Sequence, residues 1–210
     1  MRMPLRSGRS FVIFGVALAL LAGCSSDGER QRDMRTAWHH FVPFTGAAPV
    51  SPGYRALEAA GAPVLMLRET GLGRTQALRR VPGQGAGGVV SWRAPAGSEY
   101  DFLNGVLVAT RGLPQDLVSA DVSALLARID SGQGGRADRF ESRLDGDGQV
   151  VIAAYVCDVT ITAARVRESC TGPRDRFVNS YATGTGSAMA GSVQRIAPGT
   201  GATFSMRGGE

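Results

Sequence analysis

The first twenty-four residues constrain this chain most, because they predict the compartment in which everything after them folds. Three arginines among the first nine residues precede an apolar run from Phe11 to Leu21, and the segment ends at Cys24. A basic start, a short apolar run and small residues in this order are typical of an export signal. A run of about 11 residues gives about 16 Å of helix, whereas the hydrocarbon core of a bilayer is about 30 Å thick. We therefore predict a cleaved signal peptide rather than a membrane span.

The end of this segment, Leu21-Ala22-Gly23-Cys24, resembles the lipobox of bacterial lipoproteins, where a cysteine after small residues is lipidated and then becomes the first residue. We expect diacylglycerol on the sulfur of Cys24 and a further acyl chain, such as palmitate, on its amino group. Two or more chains hold firmly, since each buried CH₂ contributes about 0.8 kcal/mol. The uncharged Ser25 favours the outer membrane. The alternative is an ordinary secretory signal that leaves Cys24 as a thiol.

The predicted order along the chain is a signal peptide at 1–23, the lipidated cysteine and a flexible tether at 24–37, and one β-rich domain at 38–210. The polar stretch at 25–35 has no apolar periodicity, as expected of a tether. The remaining residues suffice for one domain with a sizeable core. Three arginines leave with the signal, which lowers the formal net charge from +5 to +2. This charge does not indicate nucleic-acid binding.

Glycine clusters between apolar runs predict the fold class. The chain has 29 glycines in 210 residues, about twice the usual share. Asn104-Gly105, between two apolar stretches, is the strongest hairpin signal. We predict a mainly β fold of antiparallel sheets, sandwich or barrel-like, with short helices at Ser51–Ala60 and from Asp121 to Ile129. Residues 113–117 are expected to interrupt the sheet. The predicted strands cover 62–69, 74–81, 89–92, 100–103, 106–110, a stretch from 139 onward, 151–162, 165–170, 177–181, 187–196 and 202–206.

Cys157 and Cys170 form an even pair once Cys24 carries lipid, and an even pair in an exported chain predicts a disulfide. If a hairpin closes at Ala163-Ala164, Cys157 faces Cys170 in a non-hydrogen-bonded pair, with Cα atoms about 4.5 Å apart. That separation suits a disulfide. Ala-Ala is a poor two-residue turn, so a four-residue loop with the opposite pairing parity stays open.

Few residues offer the chemistry of a metal or cofactor site. The two histidines, His39 and His40, are adjacent near the tether, and neighbours in an extended segment point to opposite sides. A G-x-G-x-x-G pattern at 83–88 precedes a predicted strand rather than the helix that nucleotide binding requires. Asp145-Gly146-Asp147-Gly148 resembles the start of a calcium loop but lacks the later bidentate glutamate. We therefore predict no catalytic, cofactor-binding or metal-binding residue.

An ordered set of residues carries a resemblance to a known family. The set comprises Gly105–Leu117, Cys157 with Cys170, Phe177–Tyr181, Ser192–Gln194 and Pro198-Gly199. In this order, and after a lipobox, they resemble the YjbF/GfcB lipoproteins, which are encoded with capsule and exopolysaccharide export genes. The resemblance covers the chain from about Ser51 to its end. An aromatic residue often occupies two positions in that family where this chain has Ala182 and Arg195.

The resemblance implies a non-catalytic lipoprotein of the outer membrane, on its periplasmic face, that helps to produce or export a surface polysaccharide. The implied partners are the membrane, through the lipid anchor, a companion outer-membrane β-barrel protein and other polysaccharide-export components. Polysaccharide is a further candidate ligand, and nucleic acid is not a partner.

Two hypotheses for the body of the protein make different predictions. A binding or adaptor module predicts an exposed apolar or aromatic patch. A glycan-modifying, hydrolase-like enzyme predicts two carboxylates about 5 to 9.5 Å apart in a groove. The aromatic residues Trp92, Tyr100, Tyr155 and Tyr181 would stack on sugar rings if exposed, but aromatic residues in strands usually belong to the core. We favour the adaptor.

Overall fold

The computed structural model describes residues 49–70, 74–83, 86–182 and 191–207. The predicted signal peptide, Cys24, the tether, the two histidines and the turns predicted at 71–73 and 183–186 lie outside these residues. The described helices are α1 (Pro52–Ala59) and α2 (Ser123–Ser131), with a 3-10 turn at Ala86–Gly88. The described strands are β1 (Val64–Glu69), β2 (Thr75–Arg80), β3 (Val89–Arg93), β4 (Glu99–Leu103), β5 (Val106–Arg111), β6 (Leu117–Asp121), β7 (Gly135–Leu144), β8 (Val150–Ile161), β9 (Arg165–Thr171), β10 (Arg176–Ala182), β11 (Ser192–Ala197) and β12 (Thr200–Arg207).

All twelve strands belong to one antiparallel sheet in the order β5-β4-β3-β2-β1-β12-β11-β10-β9-β8-β7-β6. Except for β5 and β6, each strand pairs with its neighbours in sequence, as short turns require. Strand β1 pairs with β12 from Val64↔Arg207 to Glu69↔Ala202. The sheet therefore curls until its two edges, β5 and β6, lie side by side without a backbone ladder. The predicted mainly β fold is confirmed, and the nearly closed, barrel-like form answers the choice between sandwich and barrel.

Two predicted hairpins form as their sequences indicate. Asn104 and Gly105 have φ angles of 47° and 82°, the left-handed backbone that a two-residue turn between β4 and β5 requires. In the β8–β9 hairpin, Ile161 pairs with Val166 and Cys157 pairs with Cys170. The disulfide between these cysteines is present, with Cα atoms 4.0 Å apart. The two-residue loop at Ala163-Ala164 is confirmed, because the backbones of Thr162 and Arg165 bond to each other across it.

The helices lie close to their predicted positions. Helix α1 begins after Ser51, whose Oγ accepts a hydrogen bond from the backbone nitrogen of Tyr54. The N-cap predicted at Asp121 is wrong, since Val122 occupies that position. Asp121 instead ends β6 and accepts a hydrogen bond from the backbone nitrogen of Ser123. This bond lowers the pKa of Asp121.

The strand prediction differs from the structure in three places. Strand β6 was not predicted, because its sequence shows no clear apolar alternation. Among its first four residues, only Leu117 has a large side chain that is buried in the core. Strand β7 begins at Gly135, four residues before the predicted stretch. Strand β11 begins at Ser192, so that Gly191 of the stretch predicted at 187–196 precedes it, and residues 187–190 of that stretch lie outside the described residues. Charged residues on β7 and glycines before β11 weaken the apolar alternation by which strands are found.

Alternate turns of an antiparallel sheet lie at the same end. The turns after β5, β7, β9 and β11 therefore share one end, which we call the open end, whereas α2 packs on β7 and β8 at the other. Aromatic and aliphatic side chains fill most of the interior, including Trp92, Tyr100, Phe102 and Phe204. No helix within the described ranges has the length and apolar character needed to cross a membrane.

Candidate functional site

Strand β7 sends alternate charged side chains into the interior. Arg139, Glu141 and Arg143 are buried, whereas Phe140, between them, is half exposed on the outer surface. The Nε atoms of Arg139 and Arg143 each donate to one carboxylate oxygen of Glu141, both at 2.8 Å. Removing one partner of a buried ion pair typically costs about 3–5 kcal/mol. The three side chains therefore act as one unit. We use the name interior ion network for these three side chains together with the groups that bond to them.

Glu168 on β9 extends this network across the interior. One oxygen lies 3.5 Å from Nη1 of Arg139, and the other accepts from Asn179 at 2.8 Å and from the hydroxyl of Tyr181 at 2.9 Å. Burial raises the pKa of the Tyr181 hydroxyl, and the Glu168 carboxylate raises it further. Tyr181 is therefore a hydrogen-bond donor at neutral pH. Both carboxylate oxygens of Glu168 thus have donors, Arg139 on one side and Asn179 with Tyr181 on the other.

Arg195 on β11 joins the network to the open end. It donates to Glu141 at 2.6 Å and to Asp175, and its guanidinium lies 3.7 Å from the ring centroid of Phe177 and 4.9 Å from that of Tyr155. Such stacking of arginine on aromatic faces stabilises the charge by cation–π attraction. At this position, where the resemblance to YjbF/GfcB lipoproteins suggests an aromatic residue, the arginine thus lies against two aromatic rings.

The three arginines determine the ionisation of Glu141. Burial alone would raise the pKa of Glu141, but the positive charges of Arg139, Arg143 and Arg195 outweigh it and lower that pKa to about 2. Burial also lowers the pKa of Arg143. Glu141 is therefore an anion at neutral pH. A general acid needs a raised pKa, and the pKa of Glu141 is lowered instead.

Polar side chains from the interior also bond to the backbone at the outer edge of β5, where β6 lies alongside without a backbone ladder. The amide of Gln194 accepts from the backbone nitrogen of Leu107 and donates to the carbonyl of Gly105, both at 2.8 Å. Nη2 of Arg139 donates to the carbonyl of Leu107 at 3.4 Å. The seam between β5 and β6 is thus stabilised by side chains where the backbone ladder is missing.

A groove of about 640 Å³ lies at the open end, next to the network. We call it the end groove. Its size is that of small-molecule sites. Gly172 lets the β9–β10 turn approach Tyr155, since a Cβ at this glycine would lie 2.6 Å from the ring. The groove is lined by Gln115, Arg143, Leu144, Asp145, Val151, Ile152, Ala153, Ala154, Tyr155, Pro173, Arg174, Asp175 and Pro198.

The outer surface of the β7–β8 hairpin carries exposed apolar side chains, which we call the outer stripe: Phe140, Val150, Ile152 and Val156. Their exposed fractions are 50%, 59%, 74% and 39%. Phe140 faces Ala154, so that Ile152 and Val156 are its diagonal neighbours, and the stripe is continuous. Ile152 also lines the end groove.

Three other carboxylates beside grooves have donors of their own. Glu99 pairs with Arg93, and Asp101 accepts from Arg111 at 2.7 Å, beside a second groove of about 460 Å³ along the seam. In the end groove, Asp145 accepts from the backbone nitrogens of Asp147 and Gln149. Each of these acids thus bonds to a neighbouring donor, although Oδ1 of Asp101 is buried without a partner among the described residues.

The predicted site residues fall into two groups. Cys24 lies outside the described residues, so its lipidation remains a prediction. The sulfurs of Cys157 and Cys170 come within 4.8 Å of a Glu168 oxygen, a group of potential metal ligands, but the sulfurs are bonded to each other. The aromatic residues considered for sugar stacking, Trp92, Tyr100, Tyr155 and Tyr181, are all buried.

Sequence reasoning missed the ion network and the outer stripe. The signal was present in β7, where Arg139, Glu141 and Arg143 recur at every second position and so share one face of a strand. Charged residues at this spacing usually face solvent. Their burial is favourable because Glu168 on β9 and Arg195 on β11 pair with Arg139 and Glu141, and Asp175 in the β9–β10 turn pairs in turn with Arg195.

Comparisons with known proteins agree with this architecture. A family model described as "Group 4 capsule polysaccharide lipoprotein gfcB, YjbF" matches residues 44–204. The fold is similar to the crystal structure of the hypothetical lipoprotein YmcC from Escherichia coli K12, with a TM-score of 0.57 and 13% identity over 70% of this chain and 86% of that chain. At this identity the likeness shows the fold alone. No curated protein sequence matches the chain. Because the family model spans most of its length, the chain belongs to the YjbF family of group 4 capsule polysaccharide lipoproteins.

Proposed function

We propose that this protein is a lipid-anchored component of a capsule or exopolysaccharide production or export system. We further propose that it lies on the periplasmic face of the outer membrane and acts there as a non-catalytic binding or adaptor module. Membership of the YjbF family supports the polysaccharide system. The lipobox at Cys24 and the uncharged Ser25 support the anchor and its membrane.

The observation that carries the adaptor role is the outer stripe. A single exposed apolar side chain, such as Ile152 at 74% exposure, is common on a protein surface. A continuous set of such side chains on one hairpin is typical of an interaction surface. Covering a Val, Ile or Phe side chain contributes about 1.5–3 kcal/mol. Asp138, opposite Val156, and Asp158 next along β8 are exposed beside it. An apolar centre with a charged rim is the usual anatomy of a protein interface.

The polar groups of the interior support a structural rather than a catalytic role. Glu141 and Glu168 are 1% and 0% exposed, and both bond to Arg139. Glycoside hydrolysis needs a carboxylic acid with a raised pKa facing a substrate, whereas the pKa of Glu141 is lowered to about 2. We infer that these groups hold the strands in register.

Affinity capture of the full lipidated protein from solubilised outer membranes tests the adaptor role. The natural chain should recover polysaccharide-export components, including an outer-membrane β-barrel protein. Val156→Arg, in the stripe, should lose them, because a charge would be buried in the interface. Val193→Arg on β11 is the matched control, since Val193 is 38% exposed and Val156 is 39% exposed. Phe140→Arg is a second stripe variant.

Two results would count against the proposal. One is that the natural chain recovers no envelope or polysaccharide-export component. The other is that Val156→Arg and Phe140→Arg recover as much as Val193→Arg while all variants keep the natural thermal stability. A change in the length or acetyl content of polysaccharide incubated with purified protein, lost in Asp175→Asn, would favour a glycan-modifying enzyme instead.

A further inference from the structure

In and beside the end groove, two guanidinium groups have hydrogen-bond donors that no group of the described chain uses. Arg143 is 7% exposed, and its Nε and Nη1 donate to Glu141 and to the carbonyl of Ile196. Its Nη2 is buried and has no partner. Nε of Arg195, whose Nη1 donates to the groove residue Asp175, is likewise buried without a partner among the described residues. Buried donors on a charged group are costly to leave unpaired.

The two carboxylates that line the groove, by contrast, have donors. Asp175 accepts from Arg195, and Asp145 accepts two backbone hydrogen bonds within its own turn. Both carboxylates would repel an anion, but the Arg195 guanidinium offsets the charge of Asp175. Arg174 is exposed on the rim and adds a positive charge. A ligand that complements this groove therefore supplies acceptors, and a charged acceptor bonds a guanidinium more strongly than a neutral one.

Apart from Gln115, the remaining wall is mostly apolar. Val151, Ile152 and Ala153 line one side, and Pro173 and Pro198 come from the turns after β9 and β11. A sugar ring has an apolar C–H face and a polar edge, so it can pack on such a wall while its substituents reach the donors. A volume of about 640 Å³ is within the range of small-molecule sites, typically about 300–1,000 Å³.

We propose that the end groove binds an acidic sugar residue of a polysaccharide, with the sugar carboxylate accepting from Arg143 and Arg174. This rests on the proposed function, because it takes the ligand from the same capsule or exopolysaccharide system. The interior ion network then has a second role, since Glu141 and the carbonyl of Ile196 hold the Arg143 guanidinium in place before the ligand arrives. A preorganised side chain loses little entropy on binding.

Calorimetry with the full lipidated protein in detergent tests this site, with oligogalacturonate as the acidic probe and its carboxyl-reduced form as the neutral one. The acidic probe should bind, and the neutral form should bind at least about tenfold more weakly. Arg174→Gln should weaken binding of the acidic probe several-fold. Arg136→Gln is the matched control, because Arg136 is exposed on β7 outside the groove. It should bind the acidic probe as the natural chain does.

Arg143→Lys tests the buried donor and keeps the positive charge beside Glu141. It should lower the affinity for the acidic probe more than for the neutral one, because lysine lacks the guanidinium fork. Its thermal unfolding, compared with that of the natural chain, shows whether it is folded. If it does not fold, Arg174→Gln with the Arg136→Gln control decides the question.

Three results would overturn the site: equal affinity for the acidic and neutral probes, no saturable binding at low millimolar concentration, or equal weakening by Arg174→Gln and Arg136→Gln. These failures are separable from failure of the adaptor role, because Val156 lies in the outer stripe but not in the end groove. If Val156→Arg loses export components while the groove binds no acidic sugar, the adaptor role stands and this site falls.

Discussion

The side-chain oxygen of Gln194 lies 2.8 Å from the backbone nitrogen of Leu107, eighty-seven residues earlier in the chain. The amide of Gln194 also donates to the carbonyl of Gly105 at 2.8 Å. A glutamine side chain therefore takes the place of a neighbouring backbone at the edge of β5. A buried backbone group without a partner is costly, so Gln194 stabilises the unpaired seam by bonding to two of its backbone groups.

Replacing Gln194 with leucine should lower the free energy of unfolding by about 2–4 kcal/mol, because two buried backbone groups of β5 lose their partners. Urea unfolding measures this change. Gln149→Leu, in the exposed β7–β8 turn, should change the free energy by less than about 0.5 kcal/mol. Equal effects of the two variants would show that the seam does not depend on Gln194.

Stability should fall in acid partly through Glu141. Its pKa is about 2 in the fold against an ordinary 4.5, so its charge stabilises the fold above about pH 4.5 and loses this effect as pH falls toward 2. A shift of this size corresponds to about 3 kcal/mol. The difference in free energy of unfolding between the natural chain and Glu141→Gln should therefore narrow between about pH 6 and pH 2. A difference that stays constant over this range would contradict the buried pairing.

The disulfide should stabilise the fold by about 3 kcal/mol, because it restricts the unfolded chain. Adding dithiothreitol should lower the urea midpoint of the natural protein. It should leave the midpoint of the Cys157→Ala, Cys170→Ala double variant unchanged, which controls for effects of the reductant elsewhere. An equal midpoint for the natural protein with and without reductant would mean that the bridge contributes no stability.

The hairpins could be predicted from sequence because their information is local. Asn104-Gly105 specifies its turn through backbone angles that few residues adopt. The pairing of Cys157 with Cys170 follows from a count of residues between two arms once a two-residue loop is assumed. In both cases the turn residues and the residues that they bring together belong to the same hairpin.

The seam and the ion network could not be predicted because their information is not local. Arg139 and Arg143 are stable inside only because Glu141 lies between them and Glu168 reaches across from β9. The alternating pattern of β7 therefore fits a strand with either of its two faces toward the interior. A shift of one residue would exchange the faces and so decide whether Phe140 lies in the core or on the surface. The position of the seam likewise depends on the closure of β1 on β12, which no local pattern encodes.

Mass spectrometry of the natively expressed protein, extracted from membranes, tests the lipid-anchored account most directly. The account predicts a mature chain that begins at Cys24 and carries diacylglycerol on the sulfur and an acyl chain on the amino group. Cys24→Ser should lack both lipids and leave the membrane fraction. A natural chain with an unmodified Cys24, or one that still carries Met1 in the soluble fraction, would contradict it.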